Sequence, residues 1–194
     1  RVDYAQYAGD RSSFVSEYGI LAPPDVDSWE RCLAPEELAY ESDAWNWHRN
    51  GLEWRTPVAA AVEQYWKPVD ELDLEGYIRA GQMIQAEALK FSIEHWRRRK
   101  FNTAGVLFWM YNDCWCETGW TIIDYYLNRK ASFWAVKRAY APVLVSPQDE
   151  GGQVAFHVVN DRRKKARGML HSGWANVSTG EVIEADAAKV RCPA

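Results

Sequence analysis

A carboxylate that closes a short apolar run, and three aromatic–polar clusters, are the residues of this chain with types and spacing suited to chemistry. Glu17 ends Phe14-Val15-Ser16-Glu17 and is followed by Tyr18-Gly19. Phe14 and Val15 favour a short buried strand, and Gly19 with the later Pro23-Pro24 stops it. A glutamate at the C-terminal end of a strand faces the side on which barrel enzymes hold their chemistry. Read locally, the same feature is an ordinary solvated strand end. The functional reading gains from Gly105-Val106-Leu107-Phe108-Trp109-Met110-Tyr111, a continuous apolar run that leads into Asn112-Asp113-Cys114-Trp115-Cys116. Here too polar and aromatic groups sit just past a strand end. The third cluster is Trp45-Asn46-Trp47-His48-Arg49-Asn50-Gly51. It mixes flat rings with hydrogen-bonding groups, as a sugar subsite requires, and it reads equally as a loop packed on its own tryptophans.

Composition narrows the class. A chain of 194 residues with 47% hydrophobic residues can bury a core. The net charge of −4 argues against nucleic acid as a partner. No apolar run is long enough to cross a membrane, and no targeting segment is visible, which leaves the compartment open. Eleven tryptophans, ten of them before Ser146, fit a carbohydrate-handling surface or a large aromatic core. Cys32, Cys114, Cys116 and Cys192 match no zinc spacing and read as free, buried thiols. No cluster implies a metal or cofactor.

The elements that must position these residues follow from periodicity. Pro35-Glu36-Glu37 reads as a first helical turn. A helix capped by Thr56 begins at Pro57 and ends by Pro68. The clearest helix runs from Leu74 to Lys100 behind an Asp73 cap, with Leu74, Tyr77, Ile78, Gly81, Ile84, Ala88, Phe91 and His95 on one stripe. His95 reads as a core or rim residue. Arg97-Arg98-Arg99-Lys100 suits the negative end of the helix dipole. Gly105–Tyr111 reads as a parallel strand covered on both faces, Trp120–Tyr126 as extended, and Ala131–Tyr140 as a helix stopped by Pro142. Beyond Val143 the pattern turns to short alternating strands. Turns at Asn160-Asp161 and Ser178-Thr179-Gly180-Glu181 suggest an antiparallel sandwich. Arg162-Arg163-Lys164-Lys165 reads as a solvated tip, and Asn176-Val177-Ser178 is a weak glycosylation sequon.

The first part is therefore two βα units. The long stretch between Glu17 and the Leu74 helix is an insertion on the C-terminal face of a barrel, the side on which Glu17, the Trp45 run and Trp109–Trp115 also fall.

Four motifs in this order carry a resemblance: Phe14-Val15-Ser16-Glu17-Tyr18-Gly19; Gly105–Trp109 with Asn112-Asp113-Cys114-Trp115; Trp120 with Asp124-Tyr125-Tyr126; and Lys137-Arg138-Ala139-Tyr140-Ala141-Pro142-Val143-Leu144-Val145. Over residues 12–145 the chain resembles glycoside hydrolase family 2, most of all its β-mannosidases. The resemblance implies an α/β fold: the C-terminal portion of a (β/α)8 TIM barrel, its last two βα units in residues 1–145, then the first strands of an immunoglobulin-like β-sandwich in 146–194. It implies a retaining mechanism with Glu17 as nucleophile and a second carboxyl about 5 Å away. No acid of this chain matches that second position, and the rest of the same polypeptide is expected to complete the barrel. Trp109 matches the platform beneath the sugar. Asn112, Asp113 and Trp115, with Trp47 and His48 from the loop, are expected to shape the pocket for a terminal β-mannoside. No metal, cofactor, nucleic acid or membrane enters this expectation. Met110 replaces a usual glutamine and so lacks its hydrogen-bonding amide, and Cys116 replaces a usual proline. The exo-β-glucosaminidases share the Asp124-Tyr125-Tyr126 region and are the competing activity. A non-catalytic carbohydrate-binding or structural relative is the competitor of another class.

Overall fold

The structure, a computed structural model, describes residues 3–40, 42–49 and 57–194. Asn50, Gly51 and Thr56, which enter the expectations above, lie outside the described residues. The chain divides after Tyr140 into two compact units.

The first unit is built along one helix. Its helices are α1 (Val26–Trp29), α2 (Asp43–Trp47), α3 (Pro57–Tyr65), α4 (Leu74–Arg98) and α5 (Ala131–Ala139). Helix α4 starts where expected, because the Asp73 carboxylate accepts the Gly76 N–H at 2.7 Å. Its apolar stripe serves two cores in succession. Tyr77, Ile78 and Ile84 pack with Trp29, Trp45, Val58 and Val62. One turn further, Leu89 and Ile93 pack with Ile122, Val136 and Ala139, and Tyr18, Ile20 and Phe108 close over them. Each such side chain taken fully out of water contributes roughly 1.5–3 kcal/mol, so the 25-residue helix is held by packing along its whole length. The basic run at its end is used locally: Arg97 donates to the Ala139 carbonyl of α5, and Arg99 to the Arg11 carbonyl at 3.0 Å. His95 is a buried core residue whose Nε2 lies 2.9 Å from the Asp10 carbonyl.

Several sequence expectations are corrected. Gly105–Tyr111 is extended but buried on one face only. Val106 is buried and Phe108 reaches the second core, whereas Leu107, Trp109 and Tyr111 are exposed. Its pairing with the Phe14–Tyr18 segment is a parallel bridge at Val15–Val106 with flanking hydrogen bonds. Trp120–Tyr126 is not a strand; it bends so that Ile123 bridges both Asn112 and Arg129. Pro35–Glu37 stops as a single 3-10 turn, because the next residue, Leu38, leaves the helical region at ψ 60°. Cys32 and Cys116 are not free thiols but a disulfide joining residues 84 apart, while Cys114 is exposed and Cys192 half-buried.

The second unit contains two antiparallel hairpins, β1 (Val143–Asp149) with β2 (Val154–Asn160), and β3 (Ala166–Ala175) with β4 (Val182–Cys192). The turn at Ser178–Glu181 is a hairpin turn, with Gly180 at φ +71°. The Asn160-Asp161 turn is not one, since β2 pairs back to β1 through Gly151-Gly152, both at positive φ that glycine adopts without a Cβ clash. The Asn160 side chain instead donates to the Lys164 and Pro193 carbonyls at 2.9 and 2.7 Å. Arg162–Lys165 lies exposed in the β2–β3 connection.

Non-reducing peptide mapping is expected to return one fragment pair linked through Cys32 and Cys116, with Cys114 and Cys192 alkylated. Closing so long a loop restricts the unfolded chain, so Cys32→Ala is expected to lower the unfolding free energy by about 2–5 kcal/mol in a denaturant melt.

Candidate active site

Glu17 is aimed by an irregularity in backbone pairing. The Ala104 N–H donates to the Ser13 carbonyl at 2.7 Å, Val15 N–H to Gly105 at 2.9 Å and Leu107 N–H to Val15 at 2.9 Å, as in a parallel ladder. The next bond joins Trp109 N–H to Tyr18 at 2.6 Å. From Val15 to Tyr18 one segment advances a residue more than its partner does from Leu107 to Trp109. The extra residue acts as a bulge, which bends a strand and re-aims its side chains. Ser16 and Glu17 are consecutively exposed. Tyr18 turns inward against the edges of Tyr7 and Trp96, with ring centroids 5.5 and 4.7 Å away, and Ser92 Oγ lies 2.9 Å from its hydroxyl. Burial pushes the Tyr18 phenol well above its usual range.

Gly19 brings Trp109 in. A Cβ at Gly19 would stand 2.2 Å from the Trp109 carbonyl oxygen and 2.7 Å from Trp120 Cδ1, so only glycine permits this approach. The Trp109–Met110 peptide is cis, and the Met110 N–H donates to the Trp120 carbonyl at 3.3 Å. Trp109 is left 48% exposed.

A second cluster forms around His48. Its ring stacks on Trp115 with centroids 4.6 Å apart and planes within 23°. His48 Nδ1 lies 2.6 Å from the Cys116 carbonyl. A carbonyl only accepts, so Nδ1 carries the hydrogen and Nε2 is the acceptor of the neutral ring. The Thr118 N–H donates to the His48 carbonyl at 2.8 Å, which ties the end of α2 to the Trp115 loop. The Trp45 run therefore divides: Trp45 is fully buried and stacked on Trp29 at 4.1 Å, whereas Trp47 is 78% exposed. Asn112 is exposed, with its amide 3.2 Å from the Asp113 carbonyl.

Beneath this surface lies a buried charge cluster that the sequence did not reveal. Asp113 and Glu117 are both buried, and a Cβ at Gly119 would lie 3.2 Å from Asp113 Oδ1 and 2.8 Å from Glu117 Oε1. Asp113 Oδ2 accepts the Thr121 hydroxyl at 2.7 Å. Burial first, opposed by Lys130 and Thr121 and reinforced by Glu117, pushes the Asp113 carboxyl up to about 7. Lys130, at the N-cap of α5, is fully buried and donates to the Ala22 carbonyl at 2.9 Å. Burial draws its ammonium down to about 8 against the pull of Asp113, Asp124, Glu117 and Asp25. Asp124 is held by the Ser28 hydroxyl at 2.5 Å and by the Tyr126 and Asn128 N–H groups at 2.9 Å. No group of three or more metal-ligating side chains occurs among the described residues.

Comparison with known proteins gives this surface a context. No family profile matches the chain. β-Mannosidase B of Aspergillus flavus is 31% identical over 189 residues, 89% of this chain and 22% of the relative. β-Mannosidase B of Aspergillus terreus is 29% identical over 187 residues, 88% of this chain and 22% of the relative. The crystal structure of a β-D-mannosidase from Dictyoglomus thermophilum matches all of the chain with a TM-score of 0.85 and 31% identity, over 24% of its own length.

The chain is β-mannosidase-like over most of its length.

An exo-chitosanase from Amycolatopsis orientalis shares the fold, with a TM-score of 0.78 and 19% identity over 99% of this chain and 24% of that one. The β-mannosidase-like chain thus spans less than a quarter of the length of these relatives. Among its residues, the sequence-derived set falls into two groups. The Glu17 segment and Trp109 are joined by the ladder, and His48 and Trp115 by stacking. Trp47 and Asn112 stand apart in the open, and Asp113 faces inward. Glu117 and Lys130 were missed because neither lies in an apolar pattern; the one available signal was a lysine placed directly before a helix.

Gly19→Ala is expected to displace Trp109 and to destabilise the chain by roughly 1–3 kcal/mol in thermal or urea melts. The Asp113 carboxyl holds its proton in the folded chain between about pH 4 and 7, where the unfolded chain has lost it. Its contribution to stability therefore falls as pH rises through that window. Asp113→Asn is expected to flatten this part of the stability–pH curve, and an unaltered slope would assign the proton elsewhere.

Proposed function

We propose that this chain is part of a retaining exo-β-glycosidase that removes terminal β-linked mannose, and that Glu17 is its nucleophile. The observation that carries the proposal is the likeness to a β-D-mannosidase along the entire chain, at 31% identity. The exposed Glu17 on its bulge supports the assignment. Residues 1–145 are taken as the last two βα units of a (β/α)8 barrel, and 146–194 as the start of an immunoglobulin-like sandwich. The remainder of the polypeptide completes the barrel.

In this reading the Glu17 carboxylate attacks the anomeric carbon from one face while a second carboxyl protonates the departing oxygen. A covalent glycosyl–enzyme forms, and water activated by the second carboxyl then releases the sugar with its configuration retained. The second carboxyl is not assigned to any residue of this chain. Trp109 lies under the apolar face of the sugar ring. The His48–Trp115 pair, with Nε2 of His48 as an acceptor, supplies a second wall, and Asn112 and Trp47 lie at the rim.

The test uses the complete polypeptide. A fluorosugar of mannose configuration is expected to add covalently to Glu17, as read by peptide mass spectrometry. Glu17→Gln is expected to lose turnover of an aryl β-mannoside by orders of magnitude while its folding is kept. Labelling at another carboxylate removes Glu17 from the role. Preferred turnover of an aryl β-glucosaminide assigns the site to glucosamine. Sugar binding without any turnover assigns a non-catalytic relative.

A further inference from the structure

Trp115 does not stand on packing alone. Its indole N–H donates to Glu117 Oε2 at 2.6 Å, and Glu117 is 2% exposed. That bond fixes the rotation of an indole whose face stacks on His48. The loop is tethered on both sides of Glu117: Cys116 is linked to Cys32, and Thr118 donates to the His48 carbonyl at 2.8 Å. The other oxygen of Glu117 faces Gly119, beside Asp113. Asp113 Oδ1 is buried with no hydrogen-bond partner among the described residues, where a carboxyl hydrogen directed at Glu117 would be satisfied. Two carboxyl groups this close share a proton, because both cannot ionise without mutual repulsion.

We propose that Glu117 is a positioning residue: it holds the Trp115 indole, and through it the His48 ring, as one wall of the sugar pocket, and it does so together with the proton it shares with Asp113. This rests on the reading of that surface as a sugar-binding face. The groups that act on the pair are Lys130 from the start of α5 and the Thr121 hydroxyl. Asp124 and Asp25 act on it at one remove, through Lys130. Below about pH 7 Asp113 carries the hydrogen and Glu117 accepts from both Asp113 and Trp115. Above that, the two carboxylates repel, with Lys130 as the compensating cation, and the indole loses its fixed partner geometry. The wall is therefore ordered on the acid side of neutrality and loosens on the alkaline side.

The experiment reads Trp115 directly. The full-length protein is prepared with 5-fluorotryptophan, and the Trp115 line in the fluorine NMR spectrum is assigned by its absence in Trp115→Phe. The line is expected to move with a step near pH 7, ahead of any change caused by Lys130 at about pH 8. The step is expected to vanish in Glu117→Gln, which keeps an oxygen acceptor and the side-chain shape but cannot share the proton. A wild-type line that does not move between pH 5 and 9, or a step that persists unchanged in Glu117→Gln, overturns the proposal whether or not the protein cleaves mannosides. The second arm is kinetic: Glu117→Leu and Trp115→Phe are expected to raise KM for the aryl β-mannoside several-fold with little change in kcat, and the double variant no more than either alone. Additive effects overturn the action of Glu117 through Trp115. Lack of any turnover in the wild type would instead count against the glycosidase reading and leave the fluorine result standing.

Discussion

The buried ammonium of Lys130 is the constraint on which the first unit depends. A lysine with no solvent exposure is costly unless opposite charge and hydrogen bonds replace its water. Here the Ala22 carbonyl supplies one bond, and Asp113, Asp124, Glu117 and Asp25 supply the charge. These groups come from the approach to α1, the Trp115 loop and the turn before α5. Holding one cation therefore requires three stretches of chain, around Ala22–Asp25, Asp113–Glu117 and Asp124, to converge. The candidate site sits on top of that convergence: Asp113 and Glu117 lie behind Trp115, and Ala22 lies shortly after Gly19.

This arrangement separates rigid support from exposed chemistry. Glu17, Trp109 and the His48–Trp115 stack meet solvent, yet each is tied to something buried. Glu17 neighbours Tyr18, which is locked against Trp96, and Trp109 is seated on Gly19. Trp115 is tied to Glu117 and His48 to the Cys116 carbonyl. Binding surfaces built on such supports lose little freedom when a ligand arrives.

What the sequence disclosed and what it hid have a common cause. Helix α4 was legible because both its Asp73 cap and its apolar stripe are local. The same holds for α5 and for the Ser178–Glu181 turn. For Gly105–Tyr111, an apolar run does not say which residues cover each face, and within this chain one face is covered. The Asn160-Asp161 turn was misjudged because Gly151-Gly152 had already closed β2 onto β1. Glu117, Lys130 and the Cys32–Cys116 bond were hidden because their meaning is entirely long-range. Lys130 meets a carbonyl 108 residues away, and Cys116 a sulfur 84 residues away. Of the site, the aromatic–polar clusters were visible in the sequence, and the ionic floor beneath them was not.

The extra residue between Val15 and Tyr18 gives that short stretch a parity. Side chains of an extended chain alternate between faces, so the bulge makes the alternation before it and the alternation after it run out of phase. The direction in which Glu17 emerges is set by the number of residues between Val15 and Tyr18. Gaining or losing one position there reverses the phase. At this point the length of the chain carries information that the identity of its residues does not.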